Sequence, residues 1–273
     1  MKFQKTECRL PIRPRKRKTE NGLPYAVAAD SFTGLVRFRN EDSFLYAWDS
    51  SRTYLLAAVA DGIGCTRNGD VAGNYTLQML ANAWRNFVFP AIGKRDAVKN
   101  FLCSSICDIN RRLFEINAVT ASDYEQDSLG TSLTAAVFLD DAVIAANAGD
   151  SPFFRIRGGE IKQLTFDHNL ANELVRMGEI APENAGSVEG GRRLTRFIGP
   201  RKEVEPECYV SNVKKNDFFL LCSDGLTLHV PPPEIARELS RGNDLSESLK
   251  NLFRKILHRG AADNATAILV NAL

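Results

Sequence analysis

The chain of 273 residues, 44% hydrophobic with a net charge of +2, is long enough to bury a sizeable core without disulfides or metals as staples. It contains no apolar run of 18 residues or more, and Pro11, Arg13 and Pro14 interrupt the N-terminus, so neither a membrane span nor a secretory leader is expected and the expected location is the cytoplasm. The charge is uneven: residues 1–20 sum to +6 and the rest to −4.

Residues 1–23, with the basic run Arg13–Lys18, read as a disordered tail. Contact of that run with nucleic acid, an acidic membrane or an acidic partner weighs less, because no aromatic residue interleaves the charges for base stacking. From residue 24 to 273 no linker divides the chain, and one domain is the economical reading. Strand patterns fall at 25–32, 43–48, 53–60, 131–139, 142–148, 152–157, 207–213, 217–222 and 264–271. Short turns such as "LDDAV" and "RGGE" favour antiparallel hairpins. Helical spacing predicts one pair of helices at 70–88 and 95–117, and a second pair at 232–239 and 244–258. Stretches 118–128 and 169–192 are irregular. The second contains the short helical segment "LANELVRMG" and reads as a mobile surface flap. Cys8, Cys65, Cys103, Cys107, Cys208 and Cys222 are scattered, several in apolar runs, so a disulfide framework is not expected.

Apolar strands repeatedly stop at an aspartate beside small residues: Asp61 in "VADGIG", Asp150 in "AGDS", Asp224 in "CSDGL". Asp42 in "RNEDS" and Asp263 in "ADNATAILV" share that setting. A single Asp-Gly is usually a turn. Five such sites point to carboxylates held rigidly at strand edges. Were they to converge, two carboxylates ~5 Å apart would repel by roughly 3 kcal/mol at an effective dielectric of about 20. Divalent cations would remove that penalty. Oxygen donors select Mg²⁺ or Mn²⁺ over zinc, and His168, His229 and His258 are too dispersed for a histidine site. Two such ions about 4 Å apart clamp phosphoryl oxygens and activate water.

The ordered blocks "RFRNEDS", "ADGIG", "GTSLTAA", "NAGDS", "LTFDH", "LTRFIG", "LLCSDGL" and "DNATAILV" make residues 24–271 resemble the metal-dependent protein phosphatase 2C family of serine/threonine phosphatases, especially its bacterial members. The resemblance implies an α+β, four-layer αββα sandwich of two antiparallel sheets flanked by helix pairs. It implies that Asp61 bridges two metals, that the Gly62 carbonyl binds one, and that Asp224 and Asp263 complete the pair. Asp42 and Glu41 would lie in or just outside the ligand sphere, and Asp150 with Asp224 would serve a third ion. Arg37 would bind the substrate phosphate through its planar fork. The implied reaction is hydrolysis of phosphoserine or phosphothreonine in substrates of a protein kinase by a hydroxide held between Mn²⁺ or Mg²⁺ ions. No phosphoenzyme forms, and the enzyme is expected to be a monomer.

Four positions depart from the family pattern. Ile63 cannot act as a general acid, Cys65 follows Gly64 where glycine is usual, Asp70 stands where glutamate is usual, and Pro152 replaces an arginine. The Cys65 and Pro152 departures motivate an alternative: a weak or inactive relative that binds phosphoproteins as a regulator. No cysteine has the arginine spacing of a tyrosine phosphatase, and no His-Glu-x-x-His is present.

Overall fold

The computed structural model describes residues 24–63, 68–120 and 128–273. The basic run Arg13–Lys18, Cys8 and Cys65 lie outside them.

The first strands are β1 (Tyr25–Phe32), β2 (Asp42–Trp48) and β3 (Leu55–Asp61), followed by helices α1 (Gly69–Asn86) and α2 (Lys94–Thr120). Next come β4 (Leu133–Phe138), β5 (Ala142–Ala148), β6 (Phe153–Arg157) and β7 (Glu160–Gln163), then α3 (Leu170–Arg176) and a 3₁₀ turn at Pro182–Ser187. The chain closes with β8 (Glu207–Asn212), β9 (Phe218–Cys222), α4 (Asp224–His229), α5 (Pro232–Leu239), α6 (Leu245–His258) and β10 (Ala265–Ala272).

All strand pairs are antiparallel, in two sheets with orders β1-β10-β9-β6-β7 and β2-β3-β4-β5-β8. Side chains alternate between sheet faces, so a strand covered on both sides must be apolar throughout. β3 shows this directly. Leu55, Ala57 and Val59 face the other sheet in a core with Phe138, Phe153, Phe219 and Ile268. Leu56, Ala58 and Ala60 face α1 and α2, packing with Leu80, Trp84, Leu102 and Ile106. On the far side, Leu220, Cys222 and Leu269 meet Ile235, Leu239, Leu252 and Ile256 of the last helices. Three apolar layers between four structural ones make the expected αββα sandwich. Between the sheets, Phe138 lies 5.3 Å from Phe219 and 6.3 Å from Phe153, ring centre to ring centre.

α2 buries Val98, Phe101, Leu102, Ser105, Ile106, Ile109 and Leu113 as its spacing predicts. The opening of α6 is fixed by Asp244, whose carboxylate accepts the Glu247 N–H at 2.7 Å. Two elements were not expected, β7 and α4. The flap segment forms a compact excursion whose ends pair at Asn169 and Leu194. Cys103 on α2 and Cys208 on the edge strand β8 bring their sulfurs together with Cα atoms 7.4 Å apart, wider than the roughly 4.4–6.8 Å that a disulfide spans, and one such contact is no disulfide framework. The packing of α2 across that edge makes them neighbours. Cys222 is buried and free, as a small hydrophobe should be. Among the described residues no helix is long and apolar enough to cross a membrane.

Candidate active site

The aspartates come together at one end of the two sheets. Register places Asp42 directly opposite Asp61, at the start of β2 and the end of β3. Asp42 is buried and accepts a hydrogen bond from the Ser223 hydroxyl at 2.7 Å, which ties it to the residue before Asp224. Ser223 also accepts the Thr266 N–H at 3.0 Å, knitting the end of β9 to β10. Asp61 is fixed through its backbone: its N–H donates to Ser132 Oγ at 3.2 Å, and its carbonyl accepts from Thr131 Oγ1 at 2.9 Å. Gly62 donates its N–H to the Glu41 carbonyl at 3.2 Å.

Asp224 opens α4, and Gly225 after it lies against the turn that carries Asp263. A methyl group on Gly225 would stand 1.9 Å from the Asn264 carbonyl oxygen, so only glycine allows the approach. Asn264 in turn organises the loop before β2. Its side-chain N–H₂ donates to the Thr33 and Arg39 carbonyls at 2.7 and 2.9 Å, and its Oδ1 accepts the Glu41 N–H at 3.0 Å.

Electrostatics records the gathering. Burial, reinforced by Asp42, Asp224, Asp150 and Asp263, pushes the Asp61 carboxyl well above the usual carboxylate range. Burial raises Asp42 to about 6 despite its hydrogen bond from Ser223. Asp150 is raised to about 8 by burial and by Asp224 and Asp167, and burial also raises Glu41. All five aspartates therefore share one neighbourhood, with Glu41 beside it. Among the described residues, however, no three acidic, histidine or cysteine side chains stand close enough to form a ready-made metal cage. Two carboxylates instead meet arginines. Arg37 grips Asp263 with both prongs, Nε to Oδ1 and Nη2 to Oδ2, each at 2.9 Å. Arg192 forms an ion pair with Asp224.

The donor set nevertheless fits hard dications: the donors are oxygens, and the burial and mutual repulsion that raise Asp42, Asp61 and Asp150 are what a bound cation would offset.

Sequence reasoning missed two residues here. Asp167, in the "LTFDH" block, is raised to about 7 by burial and by Asp224. Arg192 comes from the flap, and no spacing in "GGRRL" announces it. His168 is fully buried and has a structural role: its Nδ1 accepts the Gly149 N–H at 3.1 Å, next to Asp150. Burial and Arg196 lower it to about 4, so it is neutral. At two of the departures, both among the described residues, the main chain is held in place: Ile63 donates its N–H to the Gly130 carbonyl, and the Pro152 carbonyl accepts the Cys222 N–H.

The protein phosphatase 2C family model matches residues 37–273. The chain belongs to the protein phosphatase 2C family. It is 33% identical over 237 residues to the serine/threonine phosphatase stp of Listeria monocytogenes, covering 87% of this chain and 92% of that one. Among solved structures, the serine/threonine phosphatase Stp1 from Staphylococcus aureus superposes with a TM-score of 0.84 at 29% identity, over 94% of this chain and 98% of that one. The catalytic domain of the phosphatase PstP in complex with two manganese ions gives 0.73 at 29% identity, over 90% and 97%. The expected enzyme class, a protein serine/threonine phosphatase dependent on divalent metal, agrees with these relatives.

Proposed function

We propose that the chain hydrolyses phosphoserine and phosphothreonine in proteins, using Asp42, Asp61, Asp150, Asp224, Asp263 and the Gly62 carbonyl to hold Mn²⁺ or Mg²⁺. The observation that carries this reading is the shared electrostatic neighbourhood of five aspartates from distant segments, with Arg37 at its rim. Two core ions, with a third near Asp150, would polarise the phosphoryl oxygens and ionise the attacking water. Within the chain, Asp61 is the central donor, anchored by Thr131 and Ser132. Glu41 orients water at the edge of the cluster. The Arg37 fork binds the phosphate, whose oxygens compete with Asp263 for Nε and Nη2. Fixed positive charge suits a reaction whose uncatalysed rate is among the slowest known. The enzyme works as a cytoplasmic monomer on substrates of a serine/threonine kinase.

The test is hydrolysis of para-nitrophenyl phosphate and of a phosphothreonine peptide after EDTA treatment and titration with Mn²⁺ or Mg²⁺. Metal-dependent release of phosphate is expected. Background rates with every divalent ion would instead favour a phosphoprotein-binding regulator.

A further inference from the structure

Leu35, Val36 and Phe38 expose 65%, 63% and 103% of their surface, beside the reaction site. Single exposed apolar residues are ordinary, but three within four positions form a patch. The loop that bears them is fixed. Asn264 holds the Thr33 and Arg39 carbonyls at its two ends, and the Leu35 N–H donates to the Ala261 carbonyl at 2.8 Å. Gly34, with φ of +85°, lies so close to the Asp263 turn that a methyl group there would stand 2.4 Å from the Asp263 carbonyl oxygen. The patch is thus presented rigidly, and ordering it on binding takes little entropy. Between its members stands Arg37, two-pronged on Asp263.

We propose that Leu35, Val36 and Phe38 form a subsite for an apolar side chain of the phosphoprotein substrate, within two residues of the phosphorylated one. This rests on the reading of the cleft as a phosphatase site. Consecutive Cα atoms are about 3.8 Å apart, so a phosphoresidue held by Arg37 brings its chain neighbours over the residues that flank Arg37. Neither the phosphate nor the dications have any use for a fully exposed phenyl ring, whereas a substrate side chain laid on it leaves water. A small phosphomonoester lacks the neighbouring side chain that would lie on the patch.

The experiment compares wild type, Phe38→Ala and Leu35→Ser on three substrates: para-nitrophenyl phosphate and two phosphothreonine peptides that differ only in carrying leucine or serine beside the phosphothreonine. Wild type should prefer the leucine peptide, and Phe38→Ala should lower kcat/KM on it about 10-fold while sparing the serine peptide and para-nitrophenyl phosphate. No preference in wild type, or an equal loss on all three substrates, overturns the proposal. So does a dimer in solution that Phe38→Ala disperses while peptide preference stays unchanged, because the patch then belongs to a second copy. Fluorescence anisotropy of the labelled peptides gives a readout without turnover. If no substrate is hydrolysed, the phosphatase reading fails. Selective binding of the leucine peptide, lost in Phe38→Ala, would still support the subsite, and equal binding by both proteins would refute it.

Discussion

Stability of the metal-free protein should fall between pH 7 and 8, and manganese should remove the fall. The sign follows from Asp150, whose carboxyl is raised from 3.8 to about 8. A raised carboxyl keeps its proton in the folded state while the unfolded chain has lost it. Its stabilising contribution is therefore full below about pH 4 and disappears as the pH climbs through the folded value. Each such group removes about 1.4 kcal/mol per pH unit over that range. Between pH 4 and 6 the fall is steeper, because Asp42, raised to about 6, and Asp167, raised to about 7, lose stability alongside Asp150. Neutral His168, lowered to about 4, gains stability as pH rises and offsets one of them. Above pH 7 His168 is spent as a contributor, and Asp150, half-ionised by pH 8, alone sets a decline of about 1 kcal/mol from pH 7 to 8, or roughly 2–4 °C in Tm, to which the raised Asp61 adds. Scanning calorimetry in EDTA at half-unit steps measures it. A dication takes the place of the protons, and at 100 times its Kd it adds about 2.7 kcal/mol, so with Mn²⁺ the slope should flatten or reverse. Asp150→Asn should make the EDTA slope shallower without metal. A Tm in EDTA that is level or rising from pH 7 to 8, or a slope that Mn²⁺ leaves unchanged, refutes the argument.

Asp61→Asn and Asp224→Asn should each abolish metal-dependent hydrolysis while circular dichroism shows the fold intact, and Asp61→Asn should raise Tm in EDTA at alkaline pH, where ionising a buried carboxyl among its neighbours costs stability and an amide does not. Wild-type turnover in either variant would remove that carboxylate from the reaction. Arg37→Ala should raise KM for a phosphopeptide about 10- to 100-fold, the range for a charge-assisted hydrogen bond, with a smaller effect on kcat; a purely kcat defect would place Arg37 elsewhere in the cycle. Gly225→Ala should destabilise the fold by about 3 kcal/mol, lowering Tm by roughly 6–12 °C, since its methyl group would collide with the Asn264 carbonyl. An unchanged Tm there would mean that the turn has room to yield.

What the sequence made legible, and what it concealed, divides by physics. β3, β4 and β5 are apolar at nearly every position because both their faces are covered, and continuous apolar runs announce that. β7 is a sheet-edge strand with largely exposed Glu160, Lys162 and Gln163, so it carries no hydrophobic signature; only pairing with β6 makes it a strand. α4 begins at Asp224-Gly225, a pair that reads locally as a turn. Its helix is imposed by packing of Gly225 on the Asp263 turn and by burial of Leu226 among the final helices. The same division runs through the site. The aspartates were visible because each lies at one end of a strand, and strand ends are what sequence patterns locate best. Asp167 and Arg192 were invisible as partners of Asp224, because their proximity is tertiary: Asp167 lies in the turn before the flap and Arg192 at the flap's far end. The Asp42 and Asp61 pairing follows from register alone: a one-residue slip of β2 would turn Asp42 to the other face and send Phe44 with it. The apolar alternation that builds the core therefore also sets the spacing of the two carboxylates, and core and site cannot be altered independently along β2.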